Sequence, residues 1–184
     1  MEKRSAQETG AGCYMEKLNI QYYNSPCGKI VLVSTGDRLC MCDWHGHPCA
    51  ERNMRRLQRV FKAEFHKAAS DILVHTKAEL DEYFGGRRRT FDIPLLTVGT
   101  DFQKNVWQAL LEIPYGETRS YIQIAERIGN RNGVRAVAQA VGANGISILI
   151  PCHRVIGADG TLTGFAGGLD AKRKLLETEG IGFR

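Results

Sequence analysis

The feature that most restricts how this chain folds is a change of sequence pattern near residue 95. Before it, runs rich in β-branched and aromatic residues are separated by the turn signals Ser25-Pro26-Cys27-Gly28 and Gly36-Asp37. Such runs predict an antiparallel meander. Its strands are expected at Leu18 to Tyr23, Lys29 to Thr35 and Arg38 to Asp43. After residue 99 the pattern is that of short capped helices, so the expected fold class is α/β (α+β).

With 184 residues, the chain is long enough for one medium domain or two small ones. The change of pattern predicts a boundary between Leu95 and Gly99. Residues 16–95 are expected to form a small N-terminal antiparallel-sheet domain, and residues 100–184 a C-terminal helical domain with a helix-turn-helix and short strands. Residues 1–15 are expected to be a disordered leader, because most are small and polar and because Met1-Glu2-Lys3 recurs as Met15-Glu16-Lys17.

Two helices are expected in the N-terminal domain, at Glu51 to Lys62 and at Ile72 to Phe84, and the second ends at the C-cap signal Gly85-Gly86. Arg87 to Pro94 are expected to add an edge strand. The basic residues of the first helix recur at helical spacing, which is typical of a solvated face. They are Arg52, Arg55, Arg56, Arg59 and Lys62.

In the C-terminal domain, Thr100 with Gln103 and Ser120 with Gln123 have the spacing of a capping box. Helices are predicted at Thr100 to Leu111, Tyr121 to Ile128, Val134 to Val141 and Ala171 to Glu179. The second and third of these match a helix-turn-helix, whose second helix normally docks on DNA. Helical hairpins also pack for stability alone, so the pattern leaves both interpretations open.

A buried strand is predicted at Ile146 to Ile150, because five nearly continuous apolar residues occur there. It leads into Cys152 and His153, and a cysteine beside a base is a candidate nucleophile, since the thiolate is the reactive form. Neighbouring residues of a strand point to opposite faces. His153 must therefore lie beyond the strand end or act through a bridging water. The alternative is that Cys152 is a buried small apolar residue, as most free cysteines are.

Composition limits the compartment and the partners. Lys and Arg exceed Asp and Glu by 25 to 20, a net charge of +5 that permits a polyanionic partner. Six cysteines without a signal-peptide core favour a reducing compartment, so a cytoplasmic location is expected. No apolar run approaches the roughly 20 residues that span a bilayer, so no membrane association is expected.

Around Cys152 the sequence resembles the O6-alkylguanine-DNA alkyltransferases, also called methylated-DNA-protein-cysteine methyltransferases. Pro151-Cys152-His153-Arg154-Val155 is similar to the acceptor-site motif of that family. The resemblance is continuous from about Phe102 to Gly180, and residues 16–95 share it loosely through Ser25-Pro26 and Gly28-Lys29. Further matching residues are Tyr115-Gly116-Glu117, Ser120-Tyr121, Arg135-Ala136-Val137, Asn144, Gly167-Gly168, Lys172, Leu175-Leu176 and Glu179-Gly180.

The resemblance implies direct, single-turnover repair of O6-alkylguanine in DNA, with O4-alkylthymine as a second candidate substrate. Cys152 would take the alkyl group, His153 would accept the thiol proton through a water, and Glu179 would orient the histidine. Asn144 would hold the turn before the strand, and Tyr121 would donate to guanine N3. No cofactor is implied, and the chain is expected to act as a monomer.

The lesion lies within double-stranded DNA, so the base must be flipped out to reach the cysteine. The resemblance implies that the second helix of the helix-turn-helix enters the minor groove and that Arg135 fills the gap. Ala136 and Ala140 lie four apart on that helix, where small residues either let the groove approach or pack against another helix. The remaining residues expected to contact DNA or the base are Val155, Phe165, Ala166 and Lys172.

Two positions depart from the family pattern. Phe165 stands where the family usually has tyrosine, so its ring can wall a base pocket but contributes no hydroxyl. Ala166 offers only its backbone N–H. The alkyltransferase-like proteins, which bind the lesion without transfer, usually have tryptophan in place of the cysteine, whereas Cys152 is present here. A transcription factor using the same helices is a second alternative, although no sensor domain is apparent.

A cluster of cysteines and histidines in the N-terminal domain raises the question of a zinc site. Its members are Cys40, Cys42, His45, His47 and Cys49. Their spacing does not reproduce a paired C-x2-C arrangement, and Cys40 and Cys42 are expected to share one face of a strand. No metal is therefore expected.

Overall fold

The computed structural model describes residues 17–182, and the expected leader at residues 1–15 lies outside them. The strands are β1 (Leu18–Ser25), β2 (Gly28–Thr35), β3 (Arg38–Trp44), β4 (Phe65–His66), β5 (Arg119–Ser120) and β6 (Val155–Ile156). The helices are α1 (Pro48–Phe61), α2 (Asp71–Phe84), α3 (Asp101–Leu111), α4 (Tyr121–Arg127), α5 (Val134–Gly142) and α6 (Gly168–Thr178). Short 3-10 helices occur at Arg131–Gly133 and Cys152–Arg154.

The first half of the chain forms a four-stranded sheet in the order β3-β2-β1-β4. The meander of β1, β2 and β3 is antiparallel, as predicted, and β4 adds in parallel beside β1. The prediction of an edge strand at Arg87 to Pro94 is wrong. That segment is irregular, and Pro94 cannot donate to a ladder. Its end is joined to β3 by backbone hydrogen bonds, in which Leu39 N donates to Pro94 O and Leu96 N donates to Leu39 O, both at 2.9 Å.

The prediction that Cys40 and Cys42 share a face is also wrong. The register between β2 and β3 shifts at Val33 and Ser34, which leaves Cys40 as the extra residue of a β-bulge. Cys40 consequently packs in a cluster with Leu18, Val33 and Met41, whereas Cys42 packs in the main core.

Helix ends follow local capping. Both predicted capping boxes are present, at Thr100 with Gln103 and at Ser120 with Gln123. Helix α1 begins at Pro48, three residues before the predicted start, because His47 Nδ1 accepts a hydrogen bond from Cys49 N at 3.2 Å and proline is favoured in the first helical turn. Helices α4 and α5 form the predicted helix-turn-helix around the Arg131–Gly133 turn.

The strand predicted at Ile146 to Ile150 is a tight turn instead. Ile150 N donates to Ile146 O at 3.0 Å, and Ile148 takes a left-handed φ of 74°. An apolar run marks burial but not conformation, and all five residues are buried. The turn docks on β3, because Cys42 N donates to Gly145 O at 2.9 Å and Ser147 N donates to Cys42 O at 2.6 Å.

The main hydrophobic cluster combines residues of the sheet, of helix α2 and of the C-terminal helices, with Trp107 and Leu110 of α3 and Cys152 among them. The second cluster lies between the sheet and α1. No helix within residues 17–182 is long and apolar enough to cross a membrane.

Candidate active site

Cys152 is held at the end of the tight turn by a buried amide. Asn144 Oδ1 accepts from Ile146 N, and Asn144 Nδ2 donates to Ile150 O, each at 3.0 Å. Cys152 N then donates to Ile150 O at 2.8 Å, and residue 152 opens the 3-10 helix. Asn144 thus closes the turn from within and fixes where the thiol lies.

His153 is completely buried behind Cys152, and its ring contacts Glu179. His153 Nε2 lies 2.7 Å from Glu179 Oε1. Burial lowers the pKa of His153, with Glu179 opposing the shift, so the ring is neutral and donates through Nε2. In that tautomer Nδ1 is the acceptor, and within the described residues it is buried without a hydrogen-bond partner. The histidine therefore has a lone pair available to take a proton.

Glu179 is the centre of a dense hydrogen-bond network. Its Oε2 accepts from Arg154 Nε at 2.8 Å and Gly116 N at 3.2 Å, and its Oε1 accepts from Arg154 Nη2 at 3.0 Å and Tyr83 Oη at 2.8 Å. Burial alone would raise the pKa of Glu179, but His153 and Arg154 outweigh it and hold the pKa at about 2. The carboxylate is therefore ionised and fixed in orientation.

The thiol of Cys152 is protonated at rest, because burial raises its pKa. Asn144 and Ser147 oppose that shift through their side chains, and Lys172 opposes it through its charge, whereas the buried Asp43 adds to it. Only 7% of Cys152 is exposed. A thiol in this setting needs a base to remove its proton. The positive charge of Lys172 then stabilises the thiolate.

Lys172 lies in the interior of the protein. It is fully buried, and its Nζ donates to Val155 O at 2.5 Å and to Thr163 O at 2.7 Å. Burial lowers the pKa of Lys172 to about 8, while Cys152 favours its charged form. Val155 is likewise fully buried, in β6. Both residues, predicted to contact DNA or the base, are buried beside the loop that follows Cys152.

Three of the residues expected at the base line one cavity of about 470 Å³: Tyr121, Phe165 and Ala166. Helix α5 supplies Ala138 and Gly142, and His47 and Cys49 close the opposite rim. The ring of Phe165 lies edge-on to Trp44, with centroids 5.7 Å apart. The cavity is within the size range of ligand pockets, large enough for a planar base, and Phe165 gives it an aromatic wall.

Helix α5 presents Arg135 and Ala136 to solvent. Ala140, expected on the same face, is buried instead, because its carbonyl accepts from Trp107 Nε1 at 2.8 Å. Ala140 therefore packs against another helix, which is one of the two interpretations of the alanine spacing. Of the two alanines, only Ala136 lies on the exposed surface of α5.

Within residues 17–182, no group of three or more His, Cys, Asp or Glu side chains is arranged to hold a metal ion. Cys27, Cys42, Cys49 and Cys152 are free thiols. His47 and Cys49 lie at the cavity rim, whereas Cys40 and Cys42 lie in two separate core clusters.

Sequence reasoning missed two partners of the carboxylate, Tyr83 and Arg154. Tyr83 lies 96 residues before Glu179, in a helix of the other half of the chain, so no local pattern connects them. Arg154 offered a signal, since it belongs to the acceptor motif, but its role as a buried bidentate partner depends on the fold.

The fold and this site define a class of protein: a helix-turn-helix protein with a buried cysteine followed in the chain by a histidine that is paired with a carboxylate. Residues 101–181 match the 6-O-methylguanine DNA methyltransferase, DNA binding domain family, and residues 18–97 match the ribonuclease-like domain of the same protein. The chain belongs to the 6-O-methylguanine DNA methyltransferase family.

Individual relatives agree with that assignment. A methylated-DNA--protein-cysteine methyltransferase of Haemophilus influenzae is 44% identical over 170 residues, which cover 91% of this chain and 89% of the relative. The crystal structure of Mycobacterium tuberculosis OGT in complex with DNA is 41% identical with a TM-score of 0.74, covering 88% of this chain and 92% of that one. An O6-methylguanine-DNA methyltransferase of Pyrococcus kodakaraensis, 20% identical with a TM-score of 0.66 over 89% of this chain and 99% of that one, shares the fold.

Proposed function

We propose that this chain repairs alkylated DNA by moving the alkyl group from O6 of guanine to Sγ of Cys152. The observation that carries the proposal is the buried acceptor site itself. Cys152 lies next to a neutral histidine with an available Nδ1, and that histidine is held by an ionised Glu179. Family membership and the names of the relatives support the same reaction.

The first step is removal of the thiol proton. His153 Nδ1 accepts it through an intervening water, and the imidazolium that forms is stabilised by Glu179 at 2.7 Å. Lys172 stabilises the thiolate by its charge. Because burial raises the pKa of Cys152, the thiolate forms in concert with this base and not beforehand.

The second step is displacement at the alkyl carbon. The bond from Sγ to carbon forms while the bond from carbon to O6 breaks, and the electron pair leaves with guanine. Tyr121, at the start of α4, donates a hydrogen bond or a proton to guanine N3 as negative charge develops there. The products are S-alkylcysteine and normal guanine.

The base reaches the cavity by flipping out of double-stranded DNA. Phe165 walls the bound base and the backbone N–H of Ala166 faces it, while exposed Arg135 fills the gap in the base stack. Helix α5 approaches the minor groove with Ala136 on its exposed face. Asn144 keeps the acceptor turn in place through its bonds to the backbone.

Each molecule acts once, because the thioether formed at Cys152 has no easy hydrolytic route back to the thiol. We further propose that the chain works as a monomer in the cytoplasm, where free thiols such as those of Cys27 and Cys152 persist. The division at residues 95–100, into a sheet domain over 16–95 and an alkyltransferase domain over 100–184, is supported by the two separate family matches.

The test is intact-mass measurement after mixing the protein with a duplex that contains one O6-methylguanine, followed by peptide mapping. We expect a stoichiometric gain of one methylene on the peptide that contains Cys152. The control variants are Cys152→Ala, which should gain nothing, and Cys27→Ala, which removes a half-buried thiol elsewhere and should react normally.

Two results would contradict the proposal. Tight binding of the damaged duplex without any mass gain would assign the chain to proteins that bind the lesion without transfer. A mass gain that persists in Cys152→Ala would show that another residue accepts the methyl group.

A further inference from the structure

Helix α1 has a basic face that the proposed reaction does not use. Arg52, Arg55, Arg56 and Arg59 recur at the spacing of one helix face, and we call this set the α1 arginine stripe. Arg52, Arg55 and Arg59 are exposed, and Arg56 is half-buried. Four like charges within two helical turns repel one another, which costs stability unless an anion lies nearby.

The anions near the stripe offset only part of its charge. Within residues 17–182, the only ion pair of its members is a loose exposed contact of 3.8 Å between Arg55 and Glu51. The buried Asp43, whose oxygens accept from Trp44 N and from Asn53 Nδ2, attracts Arg52 and Arg56 electrostatically, but it is one carboxylate near four arginines. The stripe therefore presents an excess of positive charge to an outside partner.

The stripe begins at the rim of the base cavity. Arg52 Nη2 lies 3.2 Å from Cys49 Sγ, and Cys49 lines the cavity together with Tyr121 and Phe165. A base bound there stays covalently attached to its sugar and phosphates. Those phosphates must cross the rim, either on the side of α5 or on the side of α1.

The middle of the stripe is linked to the helix-turn-helix through Trp107 of α3. The guanidinium of Arg56 lies 5.6 Å from the ring centroid of Trp107, and Trp107 donates to the carbonyl of Ala140 in α5. Burial and the charges of Arg52 and Arg59 lower the pKa of Arg56. Trp107 of α3 thus contacts both Arg56 of α1 and Ala140 of α5, so one side chain connects the stripe to the helix-turn-helix.

We propose that the α1 arginine stripe is a second DNA-contact surface, which binds the phosphate backbone next to the flipped nucleotide. The inference rests on the proposed function for the location of the flipped base. It adds that the N-terminal half of the chain takes part in DNA binding. Phosphate contacts of this kind fix position without reading sequence.

The experiment measures binding of a labelled undamaged duplex by fluorescence anisotropy between 50 and 200 mM salt. The test variant is Arg52→Gln/Arg59→Gln. The matched control is Arg38→Gln/Lys67→Gln, which removes two exposed positive charges that do not belong to helix α1. Melting temperatures of both variants show whether each one is folded.

We expect the slope of log K against log salt to fall by about 0.9 for each phosphate that the variant no longer neutralises. The same relation gives an affinity about eightfold weaker for each such phosphate at 0.1 M salt. The second-order rate of methyl transfer from a duplex containing O6-methylguanine should fall by the same factor. The control variant should bind with the affinity and slope of the unmodified chain.

An unchanged slope in the test variant would overturn the proposal and leave the stripe as a solvated face. An equal loss of affinity in the control variant would also overturn it, because net charge alone would then explain the effect. Since the duplex is undamaged, binding is measured independently of transfer. A chain that binds through the stripe but transfers no methyl group would refute the proposed reaction and not this surface.

Discussion

The two sides of the acceptor site differ in how completely their polar groups are paired. On the carboxylate side, Glu179 is buried and accepts hydrogen bonds from His153, Arg154, Tyr83 and the backbone. On the base side, the cavity is open, its walls are half-buried, and Phe165 offers no hydrogen bond. The contrast shows that the polar groups around Glu179 are held in one arrangement, whereas the cavity side has few such constraints.

The largest expected effect comes from breaking the fixed side with Glu179→Gln. This substitution leaves the Arg154 guanidinium buried without its anion, so the free energy of unfolding should fall by about 3 to 5 kcal/mol. Loss of the group that orients His153 should slow transfer by at least about 100-fold. Urea unfolding and single-turnover mass measurements test both.

The matched control is Glu177→Gln, which removes an exposed carboxylate from the same helix. It should change neither quantity appreciably. Equal effects of the two variants would show that Glu179 matters only through net charge, and the contrast between the two sides would lose its basis.

The same carboxylate predicts an acid limit of stability. The pKa of Glu179 is lowered from 4.5 to about 2 in the folded protein, so its contribution is present above pH 4.5 and is lost as the pH falls to about 2. The difference corresponds to about 3 kcal/mol. Urea titrations between pH 5 and 2 should show this loss in the unmodified chain and its absence in Glu179→Gln. If the free energy of unfolding fell equally with pH in the unmodified chain and in Glu179→Gln, Glu179 would not be the group responsible.

A smaller effect is expected from Tyr83→Phe, which removes one donor from Glu179. Burial raises the pKa of Tyr83, so its hydroxyl is a permanent donor. Without it the carboxylate holds the imidazolium more strongly, and the acid limb of the transfer rate should move to higher pH. The free energy of unfolding should fall by about 1 to 3 kcal/mol.

Tyr23→Phe is the control for Tyr83→Phe, because Tyr23 also donates to a carboxylate, that of exposed Asp81 at 2.7 Å. It should leave the pH profile of transfer where it is. A loss of stability in Tyr83→Phe without movement of the acid limb would reduce Tyr83 to a structural role.

The smallest effect is expected on the base side, from Phe165→Tyr. The ring position is kept and one hydroxyl is added at a half-buried site, so stability should change by less than about 0.5 kcal/mol. One hydrogen bond to the base or its sugar should raise the transfer rate by about fivefold. Phe165→Leu, which keeps the bulk but loses the stacking face, should slow it. A large loss of stability in Phe165→Tyr would show that the base side is as rigid as the other.

Much of the fold follows from local signals in the sequence. The three strands of the meander and both capping boxes are found where turn residues and cap spacing predict them. Local signals fail where tertiary contacts decide the conformation. The turn at Ile146 to Ile150 has the composition of a strand, and only its docking on Cys42 shows otherwise.

The acceptor site divides in the same way. A motif and a family resemblance predict Cys152, His153 and Glu179 as site residues, and the structure pairs the last two side chains. The interior position of Lys172 does not follow from the sequence, because a lysine next to other basic residues is typical of surface charge. Its two carbonyl partners are supplied by a loop whose path the sequence does not specify.

The left-handed Ile148 has a consequence for any attempt to transplant this chemistry. A β-branched residue at a φ of 74° is unfavourable by roughly 1 to 2 kcal/mol in an isolated chain. Here burial of the isoleucine side chain, which is 1% exposed, offsets that cost. A short peptide with the sequence from Asn144 to Val155 would therefore relax to another shape. The reactive geometry belongs to the whole folded chain and cannot be grafted as a linear tag.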